Sequence, residues 1–357
     1  MGVLKIDLKE RSYDIIIEKG CLKNIGEAVH GRLPKAQKAA VLSDTNVAPL
    51  YAQRVLESLE KAGLEAHLLV LPAGEETKCL QCLSQCYDFL CEHRLSRSDV
   101  LITLGGGVIG DLGGLAAATY LRGIPFVQVP TSLLAQVDSS VGGKVAIDLP
   151  QGKNLCGCFY QPQLVMVDPQ TLKTLTDQFW RDGMGEVVKY GCIRDEKLFD
   201  LLCRLNTREA AMAHIEEIIA ICLKIKAQVV ENDERDTGER MILNFGHTLA
   251  HAIEAAQHFT GLRHGEAVAI GMALITRLSE NEGLTERGTY QRLLDCLKAQ
   301  GLPFTVSIEN KEAILPALSL DKKHLNGQLK VVLLNHIGQC CLHKAPGDFF
   351  REVPQWL

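Results

Sequence analysis

The feature that most constrains this chain is a change of period near Thr174. Before it, short apolar runs of strand length alternate with helical patterns: KAAVLS, VAPLYAQRVLESLEKAG, EAHLLVL, a cysteine-bearing helix, VLITLGGG, IGDLGGLAAATYL, PFVQVP and QLVMVD. Strands separated by helices pair in parallel and carry helices on both faces. VLKIDL and YDIIIE, ahead of them, read as an opening antiparallel hairpin. After Thr174 the strand signal fades. Long amphipathic patterns follow: EVVKYG, the stretch from His214 to Val230, ILNFGHTLAHAIEAA, GEAVAIGMALITRLSE and TYQRLLDCLKAQG, with one late hairpin in LKVVLLNHIGQCCLH. The expected fold is an α/β N-terminal Rossmann-like domain over residues 1–177, then a mainly α-helical C-terminal domain over 178–357. No repeat or low-complexity linker separates them, so they are expected to pack around a shared cleft.

Charge narrows the partners. A formal net charge of −5 gives no basis for binding nucleic acid or an anionic membrane surface, so an anionic substrate must be held by a local cluster of cations. No apolar run approaches the roughly 20 residues of a membrane span. The start, MGVLKIDLKERSYDIII, alternates apolar and polar residues where a signal peptide would be continuously apolar. A cytoplasmic setting is expected, with thirteen cysteines kept as thiols. Cys79, Cys82 and Cys86 fall on one helical stripe with Leu83, Phe89 and Leu90. They are either metal ligands or small buried hydrophobes, and the second reading is preferred, as it is for Cys156 and Cys158.

Candidate chemistry begins at Leu104–Asp111, LGGGVIGD, which follows a strand and opens a helix. Glycines there let the backbone approach a pyrophosphate, and first-turn N–H groups favour an anion. The spacing is not GxGxxG, so a ligand-free tight turn stays open. Asp44, ending KAAVLSD, is placed to accept from an adenosine ribose, and PAGEETK, with Gly74, Glu75 and Lys78, occupies a similar strand-end loop.

In the helical half, Arg240, Asn244, His247 and His251 recur every three or four residues, which places them on one face of a single helix. His264 precedes the apolar helix GEAVAIG, and Glu186 shares a face with Lys189. Glu186, His247 and His264, from three helices, either form a three-ligand zinc site with an open fourth position or serve separately in structural or exposed roles. Lys226 falls in line with the apolar stripe Ile215, Ile218, Ile219, Cys222 and Val229. It either snorkels or faces an anion; in the second case its loss weakens substrate binding and leaves stability unchanged. Arg122, Lys144, Lys153, Asn154, Lys322 and Lys323 add polar and cationic groups suited to phosphate and carboxylate.

The strings GGGVIGDLGGLAAATYLRG, VPTSLLAQVDSSVGGKVAID, GKNLCGCFYQP, GMGEVVKYG, NFGHTLAHAIE and RHGEAVAIGM resemble the 3-dehydroquinate synthase family, in the family's order, from Asp44 to Lys323. The resemblance implies NAD and zinc, with cobalt as a possible substitute. It implies Glu186, His247 and His264 as metal ligands. Asp44, Asn46, Gly74, Glu75, Lys78, Gly107, Val108, Ile109, Gly110, Asp111, Thr131, Ser132, Thr171, Leu172 and Thr174 become NAD contacts. Arg122, Asp138, Asn154, Lys189, Lys226, Arg240, Asn244, His251 and one of Lys322 or Lys323 become substrate or catalytic residues, while Lys144 and Lys153 count with both sets.

The implied reaction converts 3-deoxy-D-arabino-heptulosonate 7-phosphate to 3-dehydroquinate by transient oxidation, phosphate elimination, reduction and aldol closure. His251 and Lys144 would assist proton movements, and the substrate's own phosphate is a candidate base. Other sugar phosphate cyclases, such as 2-deoxy-scyllo-inosose synthase, and metal-dependent polyol dehydrogenases are the alternatives. A homodimer is expected. Departures are small: Gly185 stands where the family often has alanine, and Cys156 and Cys158 replace commoner small residues.

Overall fold

A computed structural model describes residues 2–236, 238–257, 261–307, 329–346 and 348–357. Internal contacts group the chain into two compact units, Met1–Leu175 with Lys226–Glu231, and Thr176–Ile225 with Asn232–Leu357.

The first unit is built on a seven-stranded sheet of order β1-β2-β9-β6-β5-β3-β4. Its strands are β1 (Gly2–Ile6), β2 (Tyr13–Ile17), β3 (Lys38–Asp44), β4 (Glu65–Leu71), β5 (Val100–Gly105), β6 (Phe126–Pro130) and β9 (Leu164–Val167). Only the expected opening hairpin, β1 with β2, is antiparallel; every other pair is parallel. The connecting helices are α1 (Ile25–Arg32), α2 (Ala48–Lys61), α3 (Leu80–Glu92) and α4 (Gly107–Thr119).

Alternation along the strands explains why the apolar runs are continuous. Ala39 and Val41 of β3 pack with Val55 and Leu59 on one face, whereas Ala40 and Leu42 pack with Leu90 and Leu112 on the other. A strand covered on both faces has no solvated positions to fill with polar residues. The sequence did not announce a second hairpin, β7 (Lys144–Leu149) with β8 (Gly152–Phe159). On it Cys156 and Cys158 are exposed, so they are not the small buried hydrophobes expected. A two-stranded ribbon with one face uncovered leaves such side chains in water. Of the other cysteine set only Cys86 is fully in the core; Cys82 is partly covered, and Cys79 precedes α3.

The second unit is helical: α5 (Asp177–Arg194), α6 (Glu196–Arg204), α7 (Arg208–Ala213), most of α8 (Ile215–Asn232), α9 (His247–Ala256), α10 (His264–Asn281) and α11 (Thr289–Ala299). The late hairpin is present as β10 (Leu329–His336) with β11 (Gln339–Ala345). Helix α10 packs against α5, α9, α11 and β10, and nearly every residue from Gly265 to Ser279 is buried. A helix apolar on all sides belongs at the centre of its domain. Among the described residues no helix is long and apolar enough to cross a membrane.

Candidate active site

Three helices of the second unit converge on one point. Glu186 lies within α5, His247 opens α9 and His264 opens α10. One ligand atom from each lies within 4.8 Å of the others. Glu186 Oε1 faces Nε2 of His247 at 3.5 Å and Nε2 of His264 at 3.7 Å.

The crossing that brings Glu186 and His264 together depends on two glycines. A Cβ at Gly185 would fall 2.1 Å from the Gly265 carbonyl oxygen, and one at Gly265 would fall 1.8 Å from that of Asp182. Backbone meets backbone there, so Gly185 permits a closer approach than a methyl group would.

The expected single helix carrying Arg240, Asn244, His247 and His251 is not formed. A 3-10 helix, Glu239–Asn244, stops, and α9 starts afresh after Gly246. Gly246 has φ +80°, and a Cβ on it would lie 2.7 Å from Met272 Cγ. The left-handed residue turns the chain, so the apparent period spans two elements. His251 stays with the cluster, its ring 6.0 Å from that of His264 and 5.7 Å from that of His247. Arg240 is buried, with Nη1 donating to the Glu234 carbonyl at 2.6 Å, and Asn244 is exposed.

The donor set suits a divalent cation. Glu186 is 1% exposed and neither carboxylate oxygen receives an aligned hydrogen bond; Lys189 approaches Oε2 as an ion pair only. A buried carboxylate oxygen aimed at two imidazole nitrogens is costly unless a proton or cation lies between them. One carboxylate with two imidazoles, and no thiolate, matches zinc with a position left open for substrate.

The imidazoles are oriented from behind. Nδ1 of His247 donates to the Phe245 carbonyl at 3.2 Å, turning Nε2 inward. Burial, then the nearby Lys189 ammonium, holds the His247 pKa well below its ordinary value, which keeps the ring neutral, the form that can ligate a cation. For His264 burial acts downward too, but the hydrogen bond to Glu254 and the carboxylates of Glu186, Glu254 and Asp182 outweigh it and raise the pKa to about 9. Cation binding there must displace a proton.

Glu254, whose Oε1 lies 3.4 Å from His264 Nδ1, is one residue that sequence reading missed. It stands two turns after His247 on the same face of α9, a spacing that could have revealed it. His251, Glu254 and His264 form a second close trio, but Glu254 is already engaged in orienting His264. Glu254→Gln is expected to weaken metal binding about tenfold to a hundredfold. Competition with a chromogenic chelator reads this; parent-like affinity would remove the orienting role.

In the first unit the strand order reverses between β3 and β5, and ligands of open α/β sheets gather outside the carboxyl ends of strands at such a point. Ser43 pairs with Leu104, which sets Asp44 beside Gly105. One Asp44 carboxylate oxygen accepts from the N–H groups of Asn46 and Val47, at 2.8 and 3.0 Å. Gly107, Val108, Ile109 and Gly110 form the first turn of α4; the Gly110 N–H donates to the Gly106 carbonyl at 3.0 Å, whereas the N–H groups of Gly107, Val108 and Ile109 precede the intrahelical ladder. The Ile109 side chain is in the core, so only its backbone can face a ligand.

Lys78, 4% exposed, organises the neighbouring loop. Its ammonium lies 2.9 Å from Asp111, 2.5 Å from the Asn154 side-chain amide oxygen Oδ1, 3.7 Å from Glu75 and 4.0 Å from Asp148. Asp148, a member the sequence reading did not single out, also accepts from the Asn154 N–H at 2.7 Å. Burial pushes Asp111 up to about 6 against the pull of Lys78, and the pair is charged at neutral pH.

Gly74, at φ +129°, and Asn46 are exposed in their loops. Thr131 is buried beside β5, its N–H donating to Gly105, and Ser132 Oγ accepts from the Ala135 N–H at 3.3 Å. Thr171 and Leu172 turn inward: Gln136 donates to Thr171 Oγ1 at 2.9 Å, and Leu172 is fully buried. Thr174 Oγ1 lies 2.5 Å from the Tyr51 hydroxyl. Arg122, Lys144 and Lys153 are exposed. Lys322 and Lys323 lie outside the described residues.

Lys226 does not snorkel. It is 5% exposed and its ammonium reaches the Asp138 carboxylate at 3.0 Å and the Asp138 carbonyl at 2.6 Å. The expectation that its loss leaves stability unchanged is therefore corrected. Lys226→Met should cost about 1.5–3 kcal/mol, the range for a hydrogen bond to a charged group. Urea unfolding measures it; an unchanged midpoint and slope would dismiss the pair as a stabilising contact.

Comparison with known proteins follows the same lines. The 3-dehydroquinate synthase N-terminal family profile matches residues 68–182 and the C-terminal profile matches 183–324. A 3-dehydroquinate synthase of Clostridium beijerinckii is 51% identical over 350 residues, covering 98% of this chain and all of the relative. Among solved structures, a 2-deoxy-scyllo-inosose synthase complexed with carbaglucose-6-phosphate, NAD+ and Co2+ superposes with a TM-score of 0.88 at 25% identity, over the full length of both chains. A 2-epi-5-epi-valiolone synthase from Streptomyces hygroscopicus, with NAD+ and Zn2+ bound, gives 0.86 at 27% identity, over 98% of this chain and 97% of the other. The chain belongs to the 3-dehydroquinate synthase family.

Proposed function

We propose that this chain converts 3-deoxy-D-arabino-heptulosonate 7-phosphate to 3-dehydroquinate and inorganic phosphate, the second step of the shikimate pathway leading to aromatic amino acids. The observation that carries this reading is 51% identity to a relative of that activity across 98% of the chain. The cyclases of other substrates stand at 25–27% identity and are the more distant reading.

Zinc, with cobalt as a substitute, and NAD are the proposed cofactors, supported by the solved cyclases that hold them and by the donor set around Glu186. When bound, the metal supplies Lewis acidity that eases ionisation of a hydroxyl, and NAD supplies a reversible hydride acceptor. Glu186, His247 and His264 would hold the metal, and the Lys189 ammonium limits the negative charge that Glu186 brings. His251, exposed beside the trio, is placed to carry a proton. Arg122, Asp138, Lys144, Lys153, Asn154, Lys189, Lys226, Arg240 and Asn244 would bind and orient the two anionic ends of the substrate. Asp44, with Asn46, would take the adenosine ribose. The glycine turn Gly107–Gly110 would take the pyrophosphate, with Gly74, Glu75, Lys78, Asp111, Thr131, Ser132, Thr171, Leu172 and Thr174 around it. The proposed setting is a cytoplasmic homodimer.

Phosphate release from the heptulosonate phosphate, with product identified by mass and NMR, tests the assignment. Turnover of a hexose 6-phosphate in its place would move the chain to another cyclase.

A further inference from the structure

We propose that Cys79 and Cys82 form an oxidisable dithiol whose closure to a disulfide weakens cofactor binding at the Lys78 loop. The two are spaced Cys-x-x-Cys where the β4–α3–β5 crossover enters its helix, a place where this spacing acts as a redox pair in other folds. Cys79 caps α3 in extended conformation, φ −135° and ψ 166°, and Cys82 lies in the first turn. Cys79 at the cap and Cys82 three residues on occupy the two positions whose side chains meet in a capping box, and both are partly exposed, whereas Cys86, one turn on, is sealed in the core. Burial, then the neighbouring Cys79 sulfur, pushes the Cys82 thiol up, which casts it as the protonated, resolving partner.

With a peroxide as oxidant the step balances. The Cys79 thiolate attacks one oxygen, the O–O bond breaks, hydroxide leaves and a sulfenic acid remains. Cys82 loses its proton, attacks the Cys79 sulfur and expels the second oxygen as water. Two thiols give up two electrons and the peroxide becomes two waters.

The consequence follows from the neighbour. Closing the bond fixes the two sulfurs at about 2.05 Å from each other. The peptide joining Lys78 to Cys79 is anchored on its other side, because the Lys78 carbonyl accepts from the Asp148 N–H at 2.7 Å. Movement of Cys79 therefore strains the residue whose ammonium gathers Asp111, Asn154, Glu75 and Asp148. This coupling rests on the NAD reading above.

The test uses the full chain, reduced and then exposed to hydrogen peroxide, with free thiols alkylated before digestion and mass analysis. The expected result is a Cys79–Cys82 peptide lacking two hydrogens and both alkylation sites, restored by dithiothreitol and absent in Cys82→Ser. Calorimetry with NAD+ should show several-fold weaker binding for the oxidised parent alone, not for peroxide-treated Cys82→Ser. Alkylatable Cys79 and Cys82 after oxidation, or a disulfide with unchanged NAD+ affinity, overturns the proposal. Absence of NAD+ binding in the reduced protein would sink the cofactor reading instead, and the mass change would still judge the dithiol.

Discussion

Exhaustive chelation is expected to abolish activity, and zinc or cobalt to restore it. The same loss should follow from Glu186→Gln, at roughly a thousandfold or more, since Lewis-acid stabilisation of a developing negative charge is worth several kcal/mol. The buried geometry explains the size. Glu186 is 1% exposed and aims Oε1 at two imidazoles, so no water can substitute for the cation it would share with them. Glutamine keeps the shape and removes the charge, which separates ligation from packing. Elemental analysis should find about one metal per chain in the parent and a sharp deficit in the variant. Full activity in protein shown to be metal-free would end the metal assignment.

Catalytic amounts of NAD are expected to support conversion of a large molar excess of substrate. NAD, when bound, would supply a reversible hydride acceptor: oxidation of the substrate would acidify the proton beside the phosphate-bearing carbon, and return of the hydride after phosphate loss would cancel the redox change. Inorganic phosphate should therefore accumulate with no matching rise in absorbance from reduced nicotinamide. A carbocyclic phosphonate analogue, unable to lose phosphate, should bind tightly and report partial hydride transfer as a bound reduced cofactor. This stoichiometry separates the family reaction from a polyol dehydrogenase, whose product and NADH appear together. One free NADH per product would transfer the chain to the second class.

Period and composition determined much of this protein unaided. Continuous apolar strands between helices required a parallel sheet, because only a strand covered on both faces leaves no polar positions. The late switch to a helical period marked the second unit, and the metal trio and glycine turn were legible once their strings were read together. Contacts distant in sequence needed the tertiary structure. Glu254 acts through His264 only because α9 and α10 pack together, and Gly185 matters because Gly265 lies against it. The spacing from Arg240 to His251 suggested one helix, but a left-handed Gly246 pressed on Met272 divides it. Lys226 was ambiguous until Asp138, 88 residues away, stood beside it. A one-dimensional pattern fixes which face of an element is buried, whereas the partner of a buried charge is decided by which other elements arrive there.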